Sequence, residues 1–449
     1  MNGGMLPGMN PVATSLLIAC ALALLFLPLR WAALPLLVGA CYTTLGQEFT
    51  LGPFHLPVLR LLIVVGFIRV ILRGEGLAGF ANGLDALMLG WGVWALVSSL
   101  FHEDASAALV NRMGLVFNGC GLYFLFRVFC RSLPDVLALS RIIALVQIPL
   151  SLEMLFELET GRNLFAVFGN VNEFSDVRGG STRAQGSFAH PILAGSVGAA
   201  SLPLMLALWR GWRLTAIAGA AACILMVYAS ASSGPILSVA AAVVALAMWP
   251  LRRHMRLIRW SLVAVYVVLE MVMKAPAYFL LARIDLTGSS TSWHRAALID
   301  AAIEHLSEWL LVGTDFTRHW MSYGVGWSGD HVDITNYYVN MGVYGGLPLM
   351  LLFIAILAKA FSFVGRETSM QGESGVEDGS RFVLWALGSA LFVHAVSFMS
   401  ISYFDQSVVF FYLVLAATPV GRAGNLSTVG GTDPTAGWRA LPVSRQAPQ

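Results

Sequence analysis

Charge is what this chain has least of. Only 12% of its 449 residues are Asp, Glu, Lys or Arg, while 57% are hydrophobic. A soluble domain carries roughly a quarter charged residues, so a large water-facing surface is excluded and lipid is the solvent that suits the rest. The formal net charge is +2, which removes bulk attraction to nucleic acid. Cysteine is scarce too. Cys20, Cys41, Cys120, Cys130 and Cys223 all fall in or at the end of apolar runs, away from the long polar stretches. They read as small packing residues, not as disulfide partners or metal ligands. The sequence lacks a Gly-rich phosphate loop ending in Lys-Ser/Thr, an HExxH helix and a Cys pair, and His294 and His305 lie too far apart on a straight helix to share an ion. Neither nucleotide hydrolysis nor a metal centre is expected. The opening MNGGMLPGMN has no basic stretch of the kind that begins a cleaved signal peptide, so the first apolar run reads as a retained span.

What the chain does have is apolar runs. A bilayer core about 30 Å thick needs roughly 20 helical residues, and runs of suitable character lie near 12–29, 31–46, 56–73, 84–101, 110–129, 133–157, 189–209, 213–230, 234–250, 257–279, 336–362, 382–403 and 407–421. The second and last are short. The expected fold is an all-α polytopic membrane protein of about 12–14 transmembrane helices. Arg69, Arg73, Arg127, Arg131, Arg210, Arg213 and the run Arg252, Arg253, Arg256 and Arg259 sit in alternate connections. By the positive-inside rule these face the cytoplasm, with the N-terminus outside and the C-terminus inside. The chain then divides into an N-terminal bundle (1–157), a first outside loop (158–188), four spans (189–279), a large outside loop (280–335), C-terminal spans (336–421) and a disordered cytoplasmic tail rich in Gly, Pro, Ser and Thr (422–449). In the large loop Leu298, Ala302 and Leu306 share a face with Ile299, Ile303 and Leu310. That pattern predicts an amphipathic helix of about 18 residues, with Trp293 and Trp309 at an interface near its ends.

Topology does not account for the outside arginines Arg162, Arg178, Arg183, Arg283, Arg295 and Arg318. Arg183 stands shortly before the seventh span in RAQGSFAHPILAGS, with Gly186, His190 and Pro191 following. A proline in the first helical turn is well placed, so Arg183 lies near a helix N-terminus. A guanidinium fork and the positive end of a helix dipole both favour an anion such as phosphate; an anchor to lipid headgroups is the plainer alternative. The second candidate is the end of the large loop, where Asp330, His331, Asp333, Asn336, Tyr337 and Tyr338 crowd together before a span. A histidine flanked by carboxylates suits a general base. Tyrosines stack on sugars but also form ordinary interfacial belts.

These motifs together resemble the O-antigen ligase and polymerase superfamily. Arg183, Gly186, Phe188, His190 and Pro191 match its R-x-x-G-x-F-x-H-P motif, and Asn336, Tyr338, Gly342 and Gly345 match its later motif; the likeness covers roughly 155–365. There are two departures. Thr335 stands where members often carry His before the loop Asn, and Gly234 stands where many carry Arg after Ser-x-Ser. The resemblance implies an architecture like that of C-type glycosyltransferases in a bacterial inner membrane, with two long periplasmic loops and a periplasmic active site. It implies glycosyl transfer from an undecaprenyl-diphosphate-linked oligosaccharide to a glycan acceptor, without metal, nucleotide or other cofactor. The product is a polymer of O-antigen or exopolysaccharide units or, in a ligase, glycan joined to lipid A core of lipopolysaccharide. Membrane lipid, a flippase and a chain-length regulator are the partners such a protein would have, and nucleic acid is not among them. Under this reading His331, Asp330 and Asp333 supply the base, and Arg183, Gly186, His190, Arg295, Arg318, Asn336 and Tyr338 bind diphosphate and glycan. A transporter of lipid-linked glycan is the rival from another class; Glu270, His394 and Glu153 are the mid-span ionisable residues that would serve it.

Overall fold

The computed structural model describes residues 9–77, 81–280, 291–322, 329–369, 375–404 and 406–420. The predicted tail at 422–449 and Arg283 lie outside the described residues. The described chain is a mostly helical, multi-pass membrane protein. In chain order its helices are α1 (Pro11–Phe26), α2 (Ala33–Tyr42), α3 (Val58–Arg73), α4 (Gly83–Ser98), α5 (Ala105–Phe129), α6 (Leu133–Thr160), α7 (Pro191–Ala207), α8 (Arg213–Ala229), α9 (Ser233–Ala247), α10 (Met255–Val272), α11 (Thr291–Glu304), α12 (Leu306–Trp309), α13 (Tyr337–Ser369), α14 (Gly375–Ser397) and α15 (Ser407–Ala417). Two antiparallel hairpins interrupt them, β1 (Glu48–Leu51) with β2 (Phe54–Pro57), and β3 (Asp176–Arg178) with β4 (Ser181–Arg183).

Among the described residues, five helical stretches are long and apolar enough to cross a membrane: Gly83–Phe101, Ala105–Phe129, Leu133–Thr160, Tyr337–Ser369 and Asp378–Ser397. A sixth arises if α9 and Trp249–Val272, bent by 74°, count as one span. The other expected spans are held by shorter helices, such as α7 and α8 at 17 residues each and α15 at 11. At 1.5 Å per residue, α7 covers about 25 Å. Helix ends follow local chemistry. Asn82 and Asp85 form a capping box on α4, and Ser132 with Asp135 does the same on α6; each box satisfies backbone N–H groups that a helix start leaves open. Gly161 ends α6 in the left-handed conformation, with φ 69°.

α15 is apolar on every side, and each of its residues is buried. A helix without a polar face belongs at the centre, where it packs on α5, α7 and α14. α7 packs on α8, α9 and α14, and α13 on α4. α10 has no buried residue. Polar contacts sort the connections into two sets. One set joins Asn10 to Val167, Gln47 to Phe168, His102 to Asp315, and Gln406 to Thr43 and Ser187. The other joins Arg69 to Leu24 and Leu27, Arg131 to Gly76, and Arg252 to Asp378. A chain that crosses back and forth requires this alternation, and Arg69, Arg131 and Arg252 fall in the second set.

The helix expected over the large loop is broken. α11 ends at Glu304, and α12 is one turn beyond His305. Trp309 is buried on Gly342 of α13, and its Nε1 donates to the Ala302 carbonyl at 2.9 Å. It joins Leu298, Ala301, Ala302, Trp320, Val332 and Val339 in a small core that seats the loop on α13. Trp293 is exposed.

Candidate functional site

The β3–β4 hairpin places Arg183. Its tight turn is Gly179-Gly180, at φ 58° and 81°, values that glycine adopts without strain. Register pairs Asp176 with Arg183, and the Asp176 carboxylate accepts from Arg183 Nη1 at 3.1 Å. Arg183 is 4% exposed. Its Nη2 donates to Ser232 Oγ at 2.8 Å, and Ser232 precedes the first turn of α9. The Arg183 Nε has no hydrogen-bond partner among the described residues. Burial pushes this guanidinium below its ordinary pKa and the Asp176 charge opposes the shift; an arginine stays protonated regardless.

Behind Arg183 the chain turns sharply. Gly186 has φ 58°, and a β-carbon there would lie 3.2–3.3 Å from Leu150, Glu153 and Met154, so the motif glycine shapes the turn. Glu157 of α6, fully buried, accepts from the Gln185 and Gly186 N–H groups at 3.0 and 2.8 Å. His190 caps α7, its Nδ1 accepting from Ile192 N–H at 3.2 Å. The cap uses the Nδ1 lone pair, so the capping ring carries its hydrogen on Nε2.

Arg295 of α11 is also buried, and its Nη2 lies 3.7 Å from where a β-carbon on Gly234 would stand. Arg183 and Arg295 thus meet the start of α9 on consecutive residues but one, Ser232 and Gly234. Two guanidiniums, that of Arg183 paired with Asp176, and the N-terminal ends of α7 and α9 are groups that suit an anion with several oxygens.

His331 and Asp333 belong to a neighbouring cavity of about 700 Å³ between α2, α3, α5, α13 and α15. Its polar lining includes Arg60, Arg112, Tyr344 and Gln406, and its size lies within the range of small-ligand sites, about 300–1,000 Å³. Arg112 donates to the Tyr344 carbonyl at 2.9 Å and lies over that tyrosine ring at 4.0 Å. Arg60 donates to Asn118 Oδ1 at 3.2 Å. Direct bonds link the cavity to the arginine corner. Gln406 Nε2 donates to the Ser187 carbonyl at 2.9 Å, and His294 Nε2, one residue from Arg295, lies 3.0 Å from the Asp333 carbonyl.

The remaining sequence candidates are placed otherwise. Asn336 Oδ1 caps α13, accepting from the Tyr338 and Val339 N–H groups at 3.0 and 3.2 Å. Tyr338 donates its hydroxyl to the Ala395 carbonyl at 2.9 Å. Arg318 Nη1 donates to the Met321 carbonyl at 2.8 Å, within its own turn. Asp330 is exposed, and its carbonyl accepts from the Thr317 and Arg318 N–H groups at 3.0 Å each. Of the three proposed bases, then, His331 and Asp333 line the cavity and Asp330 does not. Arg60, Arg112, Glu157 and Gln406 escaped sequence reasoning. A signal existed for the first three: an ionisable residue inside an apolar helix is expensive and marks a functional or structural partner. The Gly-Gly step between two short polar segments was likewise a hairpin signal. No protein-family model matches the chain, and no curated protein matches it.

Proposed function

We propose that this protein transfers a glycan from undecaprenyl diphosphate to a glycan acceptor on the periplasmic face of the bacterial inner membrane, most simply as a polymerase of O-antigen or exopolysaccharide repeat units. The observation that carries this reading is the pair Arg183 and Arg295, both buried and both against the first turn of α9. In the family that the chain resembles, an arginine often follows Ser-x-Ser, whereas Ser230-Ala231-Ser232 here is followed by Ser233 and Gly234. Arg295 of the large loop brings a guanidinium beside that Gly234. When an acceptor hydroxyl attacks the anomeric carbon, the bond to the diphosphate oxygen breaks and negative charge grows on the leaving group. Cations already fixed in place stabilise that charge without reorganisation. His331 and Asp333 in the adjoining cavity are the groups suited to take the hydroxyl proton, and Arg60 and Arg112 suit the binding of sugar hydroxyls. Asn336, Tyr338, Arg318 and Gly186 support the frame of this site through the bonds described above.

The test is complementation of a deletion strain with wild type, Arg183→Ala or Arg295→Ala at equal membrane levels, followed by sizing of surface and lipid-linked glycans. Loss of one charge-stabilising donor is expected to reduce transfer by roughly 10²–10³-fold, with single repeat units accumulating on the carrier lipid. Long chains stranded on the carrier would identify a ligase to lipid A core. Normal chain length with failed export would favour the transporter reading. Wild-type glycan from both variants would remove the site assignment.

A further inference from the structure

The break between α11 and α12 brings together three side chains that the proposed transfer does not use. His305 Nδ1 lies 2.7 Å from Glu308 Oε1, and His319 Nε2 lies 2.9 Å from Glu308 Oε2. One ligand atom from each of the three lies within 4.8 Å of the others. Surrounding contacts hold the rings in place. His305 stacks on Trp320 at 5.8 Å with planes 5° apart, and it meets His319 edge-on at 4.8 Å. Trp320 Nε1 donates to Glu308 Oε2 at 3.0 Å, the kind of outer hydrogen bond that orients a ligating carboxylate. Glu308 and His319 are exposed, and His305 is half-buried, so a cation can reach the group and water can complete its coordination.

We propose that His305, Glu308 and His319 bind a divalent transition-metal cation, Zn²⁺ being the best match to a two-histidine, one-carboxylate set. Imidazole nitrogens at about 2.0–2.1 Å and a carboxylate oxygen at about 2.0–2.2 Å from zinc stand roughly 3.3 Å apart in a tetrahedron, so the side chains need only sub-ångström to ångström adjustments. Binding uses the lone pairs of His305 Nδ1 and His319 Nε2, so each imidazole then carries its hydrogen on its other nitrogen. A hard cation such as Mg²⁺ is a poor fit to two imidazoles. The site is structural in placement: none of the three residues lines the cavity. It staples the α11–α12 junction to the turn at 317–320. That turn in turn holds the segment carrying His331, through Thr317 and Arg318 N–H bonds to the Asp330 carbonyl and a Val332 N–H bond to Thr317 Oγ1, each 3.0 Å. The inference does not depend on the proposed glycan transfer.

The experiment is metal binding by the full-length protein in detergent, purified with a tag free of histidine and stripped with a chelator. Zn²⁺ is titrated against a chromophoric competitor, with Mg²⁺ as the control. About one equivalent of Zn²⁺ is expected for wild type, and Glu308→Gln, which keeps the side-chain shape, is expected to weaken it by at least roughly tenfold. His305→Ala with His319→Ala is expected to abolish it. Wild type that binds no more Zn²⁺ than the double variant would overturn the proposal and leave ordinary histidine–carboxylate hydrogen bonds. Equal affinity in wild type and Glu308→Gln would also overturn it.

Discussion

Asp85 illustrates how few charges this chain keeps inside and how tightly each is held. Its carboxylate accepts from Tyr123 at 2.6 Å and from Arg127 Nε at 3.2 Å, and its other oxygen closes the α4 capping box through Asn82 N–H. The Asp85 and Arg127 side chains are 4% and 2% exposed. Asp85→Asn takes a carboxylate away from the buried Arg127 guanidinium and is expected to cost about 3–5 kcal/mol. It should appear as a clear drop in the thermal unfolding midpoint in detergent, and pairing it with Arg127→Met should recover most of the loss. No change in the single variant would show that the pair is solvated. At this scale Arg183 could be read directly, because a motif surrounded it. Arg60 and Arg112 carried a signal that did not tell their role, because one arginine in an apolar run looks the same whether it lines a cavity or snorkels to an interface.

Elements follow from shorter-range rules, and their failures have local causes. α13 runs from Tyr337 to Ser369 but carries non-helical backbone at Gly345 and Gly346. Gly346 has φ 75°, and a β-carbon on it would collide with the Leu311 carbonyl. Loop and helix are therefore clamped face to face, with Leu347 N–H donating to the Leu310 carbonyl at 2.9 Å and Thr314 N–H to the Val343 carbonyl at 3.0 Å. Gly346→Ala is expected to reduce sharply the yield of monodisperse protein on size exclusion. Gly365→Ala, in the same helix with nothing within 4 Å, should be neutral or stabilising by about 1 kcal/mol from helix propensity. If both behave alike, the kink does not depend on glycine. The Gly-x-x-Gly pattern was visible in the sequence, but not that the kink would receive the loop. The amphipathic periodicity at 298–310 was also visible, yet the helix breaks at His305, where Trp309 packs into the α13 core instead of continuing one straight face.

For the whole molecule, the two sets of polar contacts predict which connections share a side of the membrane. Thr50, exposed in β1, and Gly76, exposed after α3, belong to opposite sets. Thr50→Cys should react with a membrane-impermeant maleimide in intact spheroplasts, and Gly76→Cys only after permeabilisation; the native cysteines are buried or half-buried. Labelling of both from one side would overturn the alternation. The class of molecule, the position of most apolar helices and the Arg183 motif were legible in the chain itself, because low charge and long apolar runs act locally and additively. Only the tertiary structure decided that α15 is central, that Arg183 and Arg295 both reach the start of α9, that His331 and Asp333 share a cavity with Arg60 and Arg112, and that His305 and His319 converge on Glu308. Each of these joins residues distant in sequence or across a broken helix, and such juxtapositions depend on how faces pack, which periodicity along one segment does not encode.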